Sequence, residues 1–152
     1  MDVHSLIALF GQEAGVPLAL GEAGTVALAF EGGPTVQLEH DPAIDALQCY
    51  AVIGRLPADA AGGAGLLRQL MQANAFGHDT DGATLGLDEV SGEIILSRRL
   101  ELARADVAWL RATVESLVAV ARTWAERLSE GAVSAPAAPR PAFSMPDPGM
   151  RV

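Results

Sequence analysis

The apolar positions near the start of the chain repeat at helical spacing. Four of them fall at i, i+3, i+4 and i+7 and therefore share one helix face: Val3, Leu6, Ile7 and Phe10. Gly15 and Pro17 follow, and both residue types commonly mark the end of a helix. The pattern predicts an amphipathic helix that stops at about Gly15.

A period of two replaces the helical period in the next part of the chain. Apolar and polar residues alternate there in three runs, which predict the strands Thr25–Phe30, Thr35–His40 and Leu47–Gly54. The turn formers of Glu31–Pro34 join the first two runs, so these should pair as an antiparallel hairpin. The small residues of Ala58–Gly63 are expected to form a loop.

Helical spacing returns twice in the second half of the chain, on either side of a further hairpin. A broad apolar face predicts a second helix over about Ala64–Ala75. The hairpin consists of Ala83–Asp88 and Glu93–Leu96. Apolar residues at alternating spacings of four and three then run from Ala103 to Leu128 and predict a long helix. This spacing also fits a short coiled coil, but one long helix laid across a sheet is favoured.

The composition changes after Gly131. Five of the nine prolines lie between Pro136 and Pro148, among alanine, serine and glycine residues. Such a segment buries too little apolar surface to offset the entropy of ordering it. We therefore expect a folded domain over residues 1–130 and a flexible tail over residues 131–152. The end of the chain, from Phe143 on, also fits a short partner-binding motif, although an unstructured end is favoured.

The charge balance limits the classes of partner. The formal net charge is −9, and all ten cations are arginines. Binding to nucleic acid needs clustered cations, so it is not expected, whereas an acidic surface favours solubility and basic partners. No apolar run approaches the ~18 residues of a membrane span, and no secretory signal is recognisable. We therefore expect a cytoplasmic protein without membrane contact. The single cysteine, Cys49, fits a buried strand residue better than a reactive thiol.

No motif in the chain carries a complete catalytic, cofactor or metal site. Gly62–Gly65 lies where a phosphate loop would lie, but Leu66 and Leu67 follow it in place of a lysine and a hydroxyl residue. Asp79–Gly82 begins like a calcium loop, but its glycine comes two positions early, which favours an ordinary turn. The three histidines are scattered. We expect neither an enzyme nor a protein that binds a metal or cofactor.

The central stretch from Leu66 to Leu96 has a more specific signature. Its helix begins with Leu-Leu and ends with Ala-Asn-Ala-Phe-Gly at residues 73–77. The strand that follows reads Gly-Ala-Thr-Leu-Gly-Leu-Asp at residues 82–88. In order and spacing this stretch resembles the class I type III secretion chaperones, the Tir-chaperone or CesT-like family. The likeness extends roughly from Val3 to Leu128.

The resemblance implies an α+β fold, in which three helices pack on a twisted antiparallel sheet of about five strands, and it implies a homodimer. The family's dimer interface uses the second helix and neighbouring strands, which by position gives Leu67, Leu70, Met71, Asn74, Leu85 and Leu87. The resemblance also implies that the protein binds the N-terminal segment of a type III secreted effector in extended form, and so keeps the effector soluble and secretion-competent. Some members bind a regulatory protein instead and couple secretion to transcription.

An extended partner requires apolar side chains that are accessible in the free protein. The strand pattern alone favours a core role for the apolar faces, but an antiparallel sheet can leave one face outward. The residues that would then contact the effector are Phe10, Val26, Leu28, Val36 and Leu38. A small ligand-binding α+β domain, with a site that has no sequence motif, stays open as an alternative.

Overall fold

A computed structural model of the chain describes residues 2–130, with all of their side chains except that of Ala60. This part of the chain forms three helices, α1 (Val3–Ala14), α2 (Ala60–Asn74) and α3 (Val107–Ser129). It forms five strands, β1 (Thr25–Ala29), β2 (Thr35–Asp41), β3 (Ala46–Arg55), β4 (Thr84–Asp88) and β5 (Glu93–Glu101). Short 3-10 turns, Ala75–Gly77 and Leu102–Arg104, follow α2 and β5. The predicted flexible tail, residues 131–152, lies outside the described residues.

The five strands form one antiparallel sheet in the order β1-β2-β3-β5-β4. β3 lies at its centre and pairs with β5 from Ala46, opposite Glu101, to Arg55, opposite Glu93. Both predicted hairpins, β1–β2 and β4–β5, are confirmed. The three helices and the five-stranded antiparallel sheet also confirm the predicted α+β class.

The core lies between the helices and one face of the sheet. On β3 the buried side chains occupy alternate positions: Leu47, Cys49, Ala51 and Ile53. The α3 side chains that pack against the sheet are buried at helical spacing: Leu110, Val114, Leu117 and Ala121. Removing one large aliphatic side chain from water contributes roughly 1.5–3 kcal/mol, so this layer holds α3 across β3 and β5. The prediction of one long helix laid across a sheet is confirmed.

An aspartate caps the N-terminus of each helix. The carboxylates of Asp2, Asp59 and Asp106 accept hydrogen bonds from the backbone N–H three residues on, at 3.0, 2.6 and 2.7 Å. Such a cap gives a hydrogen-bond acceptor to a backbone N–H that has no partner within the helix. Its negative charge also interacts favourably with the positive end of the helix dipole. These caps also move two boundaries away from the predictions. The loop predicted over Ala58–Gly63 is wrong from Ala60 on, because Asp59 starts α2 there, and Ala103 lies in a 3-10 turn before α3.

Candidate partner-binding surfaces

Asn74, the last residue of α2, joins this helix to strand β4. Its Nδ2 donates to the carbonyl oxygen of Leu85 at 2.9 Å, and its Oδ1 accepts from the N–H of Leu85 at 2.8 Å. Both backbone groups lie on the edge of β4 that points away from β5. One amide therefore satisfies a donor and an acceptor on an edge strand, where unpaired backbone groups otherwise invite association with other chains. This geometry gives a physical reason for the Ala-Asn-x-x-Gly signature.

The chain reverses directly after this junction. Phe76 has φ 61° and Gly77 has φ 67°, so two consecutive residues adopt the left-handed conformation. For glycine this is inexpensive, whereas an L-residue with a side chain loses roughly 1–2 kcal/mol there. The Phe76 ring is 93% exposed, although it is the largest apolar side chain of this turn. Phe76 was not among the contact residues predicted from the sequence. The one indication in the sequence was the position of an aromatic residue between a helix end and a glycine.

Phe76 belongs to a set of exposed apolar side chains in α2, in β4 and in the turns that follow them. We call this set the α2–β4 surface: Leu67, Met71, Phe76, Leu87 and Val90. Met71 is 76% and Val90 98% exposed. Exposed apolar side chains that occur singly are ordinary, but several in two elements that contact each other, such as α2 and β4, are typical of an interaction site.

The six residues predicted for a dimer interface divide between this surface and the interior. Leu67, Met71 and Leu87 are accessible, and they stay a prediction for contacts between protomers. Leu70 and Leu85 are buried in the core of the single chain. Asn74 is half-buried and uses its amide within the chain. The last three residues therefore support the α2–β4 surface from inside, and their assignment to the dimer interface stays a prediction, like that of the first three.

The expected exposure of the effector-binding candidates is wrong at three of five positions. Val36 and Leu38 are fully buried and Phe10 nearly so, whereas Val26 and Leu28 are half-buried. The register explains this result, because Leu38 lies opposite the buried Cys49 on the helix-covered side of the sheet. Val26 and Leu28 lie opposite Leu38 and Val36 on the same side, but in the edge strand β1.

The opposite side of the sheet is more accessible, and we call it the open face. Its half-buried or exposed side chains include Ala27, Tyr50, Val52 and Ile95. Val52 and Ile95 lie directly opposite one another on β3 and β5 and form an apolar pair. The Tyr50 hydroxyl donates to Glu39 Oε2 at 3.2 Å. Partial burial, and then the charge of the Glu39 carboxylate, raises the pKa of Tyr50 above its usual value.

The outer edge of β1 offers backbone groups to a partner. Gly24 accepts from the N–H of His40 at 2.9 Å, so these two residues form a hydrogen-bonded pair of the β1–β2 ladder. The alternation of an antiparallel ladder then directs the backbone of Ala27 and Ala29 away from β2. Among the described residues no backbone hydrogen bond occupies that edge at Ala27 or Ala29. An added strand could pair there.

No group of three histidine, cysteine, aspartate or glutamate residues within residues 2–130 is placed to hold a metal ion. Burial raises the pKa of the Cys49 thiol to about 12, which disfavours the nucleophilic thiolate. Within the same range no helix is long and apolar enough to cross a membrane.

Comparison with known proteins gives a family. The family model of the Tir chaperone protein (CesT) family matches residues 5–125, which confirms the resemblance inferred from the central signature. No curated protein matches the chain.

Solved structures of similar fold include complexes of type III secretion chaperones. The ExsC-ExsE complex contains a chain 26% identical, with a TM-score of 0.68 over 83% of this chain and 96% of that one. The HopA1-SchA chaperone-effector complex gives 22% identity and a TM-score of 0.66 over 80% and 91%. The Yersinia pestis type III secretion chaperone SycH, in complex with a stable fragment of YscM2, is 21% identical, with a TM-score of 0.62 over 80% of this chain and 98% of that one. The last two likenesses, being under 25% identical, concern the fold alone.

Proposed function

The chain belongs to the Tir chaperone protein (CesT) family, and from this membership we propose that it is a cytoplasmic type III secretion chaperone. It binds the N-terminal segment of a secreted effector in extended form and keeps the effector soluble until export. The activity is binding without catalysis. The observation that carries the proposal is the family match over residues 5–125, together with a fold shared with chaperone-effector complexes.

The proposal includes a homodimer formed through the α2–β4 surface. A dimer interface gives a reason for the accessibility of Met71 and Phe76, which make little contact within the single chain. Stable homodimers bury large and mainly apolar surfaces, and aromatic and methionine side chains are enriched at the centres of interfaces. The support from inside, where Leu70 and Leu85 pack and Asn74 fastens β4, makes this surface rigid and lowers the entropy lost on association.

The effector segment is expected on the parts of the sheet that remain accessible. The outer edge of β1 provides backbone donors and acceptors at Ala27 and Ala29, and Val26 and Leu28 provide half-buried apolar contacts beside it. The pair of Val52 and Ile95 on the open face adds a further apolar contact. An extended segment gains main-chain hydrogen bonds at a sheet edge and specificity from alternate side chains.

Two experiments in sequence test this function. The tagged chain is first purified from its native host, and the bound protein is identified by mass spectrometry. An N-terminal fragment of that protein is then expressed with and without the chain. We expect the fragment to be soluble only when the chain is present, and to become protease-resistant where it is bound. A fragment that is equally soluble without the chain, or a co-purified protein that is not secreted, would contradict an effector chaperone.

A further inference from the structure

Strand β5 continues beyond the start of its neighbour β4. β4 begins at Thr84, opposite Ser97, whereas β5 runs on to Glu101 and pairs there with β3. Within the described part of the chain, the segment Arg98–Glu101 therefore has no strand on its β4 side. We call this segment the β5 notch.

The ladder determines which backbone groups face the β5 notch. Leu85 turns its N–H and C=O away from β5, toward α2. In an antiparallel ladder, successive residues point their backbone N–H and C=O groups alternately to one side of the strand and to the other. The backbone groups of Thr84 and Ser97 therefore point toward each other. Arg99 and Glu101 follow Ser97 at steps of two, so their backbone groups point to the same side. No hydrogen bond between described residues occupies these groups of Arg99 and Glu101. The notch thus offers two N–H donors and two carbonyl acceptors to an added strand.

A cleft of about 640 Å³ opens at the β5 notch. Its lining combines two cations, one aromatic ring and three polar side chains: Arg98, Arg99, Trp109, Gln48, Thr84 and Ser97. Trp109 lies in the first turn of α3 and is 40% exposed. Successive residues of a strand point to opposite faces, so Arg99 lies on the open face, whereas Arg98 lies on the side covered by α3, where Trp109 presents an accessible apolar surface.

Neither arginine of the cleft forms a salt bridge within the described residues. The salt bridges of the described residues join Arg55 to Glu93 and Arg111 to Glu13. Arg98 donates to the backbone oxygen of Asp81, but a guanidinium carries five N–H donors, so further donors remain. In a chain of net charge −9, the exposed Arg99, with Arg98 on the other side of the same cleft, is complementary to an anionic group.

We propose that the β5 notch binds an extended segment of the effector that carries a single acidic residue. The segment continues the line of β4, pairs with the backbone of Arg99 and Glu101, places its carboxylate beside Arg99 on the open face and packs an apolar side chain on Trp109, on the side covered by α3. Glu101 shares a sheet face with Arg99, so it repels a second acidic residue and favours one carboxylate over an acidic run. This inference rests on the proposed function, because the partner is taken to be the effector.

The test uses two capped hexapeptides of alternating threonine and valine, one with a central glutamate and one with glutamine in its place. Each is titrated into the isotope-labelled full chain and followed by NMR. We expect the glutamate peptide to bind about tenfold more tightly and to shift the amide signals of Arg99 and Glu101 and the indole of Trp109. Arg99→Gln should remove most of this preference. Arg68→Gln removes the same charge from α2, outside the cleft, and should leave the preference intact.

The outcomes separate this inference from the proposed function. Equal binding of the two peptides, no binding of either, or a preference that persists in Arg99→Gln would contradict the notch as a site that recognises an acidic side chain. If a variant does not fold, the titration of the wild-type chain is repeated at increasing ionic strength. Its preference for the glutamate peptide must then weaken, because salt screens the charge interaction. A chain that keeps an effector soluble but lacks the peptide preference refutes the notch alone. A chain with the preference that solubilises no effector refutes the proposed function and retains the notch.

Discussion

Replacing Asn74 by alanine should loosen β4 from α2 while the rest of the domain stays folded. The substitution removes both hydrogen bonds to the backbone of Leu85, at 2.9 and 2.8 Å. Each such bond contributes roughly 0.5–1.5 kcal/mol net, and water can replace part of the loss because the site is only partly buried. We expect the free energy of unfolding to fall by about 1–3 kcal/mol. For a domain of this size the melting temperature then falls by roughly 3–5 °C per kcal/mol.

Circular dichroism measures the melting temperature, and amide hydrogen exchange shows where the loss occurs. The amide of Leu85 should exchange faster, while that of Cys49 at the centre of the sheet should be little affected. Asn74→Asp keeps an acceptor for the Leu85 N–H but places an oxygen against the Leu85 carbonyl, so it should also destabilise. Gln72→Ala, at an exposed α2 position, is the control for helix propensity. An unchanged melting temperature in Asn74→Ala would refute the role given to this amide.

Three further results are expected. Met71→Glu should give a folded monomer, seen by light scattering as a change from about twice 15.7 kDa to that mass, while the neighbouring Gln72→Glu stays dimeric; a dimeric Met71→Glu would contradict the interface. Leu38→Asp should unfold the domain, because it buries an unpaired carboxylate; a native circular dichroism spectrum would show otherwise. The pKa of Tyr50 is raised in the folded state, so its contribution to stability is present below its unfolded pKa of about 10 and is lost as pH rises through the folded value. Denaturant unfolding of the wild-type chain across that pH range should show this loss of stability, and Tyr50→Phe should not show it. A titration midpoint of the Tyr50 phenol at or below 10 would contradict the raised pKa.

Periodicity was sufficient for most of the secondary structure, because the side chains that alternate or repeat are those that pack. The α1 stripe ends at Gly15, which adopts φ 72° as the helix C-cap, and the predicted β3 differs from the observed strand by one residue at each end. The start of α2 was missed for a physical reason. Its first turns consist of alanine and glycine, which mark no apolar face, and the deciding residue is the cap Asp59.

The sequence could not determine which sheet face is covered. Alternation places Val36 and Leu38 on one side of β2, but it does not say whether water or a helix lies over that side. The answer comes from α3, which begins at Val107, far along the chain, and contacts β2, β3 and β5. Burial that depends on a contact so distant in sequence has no signature within the strand itself. The candidate effector contacts therefore move to the β1 edge and the open face.

The residues at the end of α2 show how a family motif can combine two physical roles. Asn74 has the polarity of a surface residue, yet its amide works inside the chain by completing the edge of β4. Phe76 has the character of a core residue, yet it is almost fully exposed and holds a left-handed backbone. A glycine at that position would relieve roughly 1–2 kcal/mol of backbone strain, and the ring returns little of this within the single chain. Any compensating stabilisation from the ring must come from a surface outside the protomer, which is why the α2–β4 surface carries the dimer proposal.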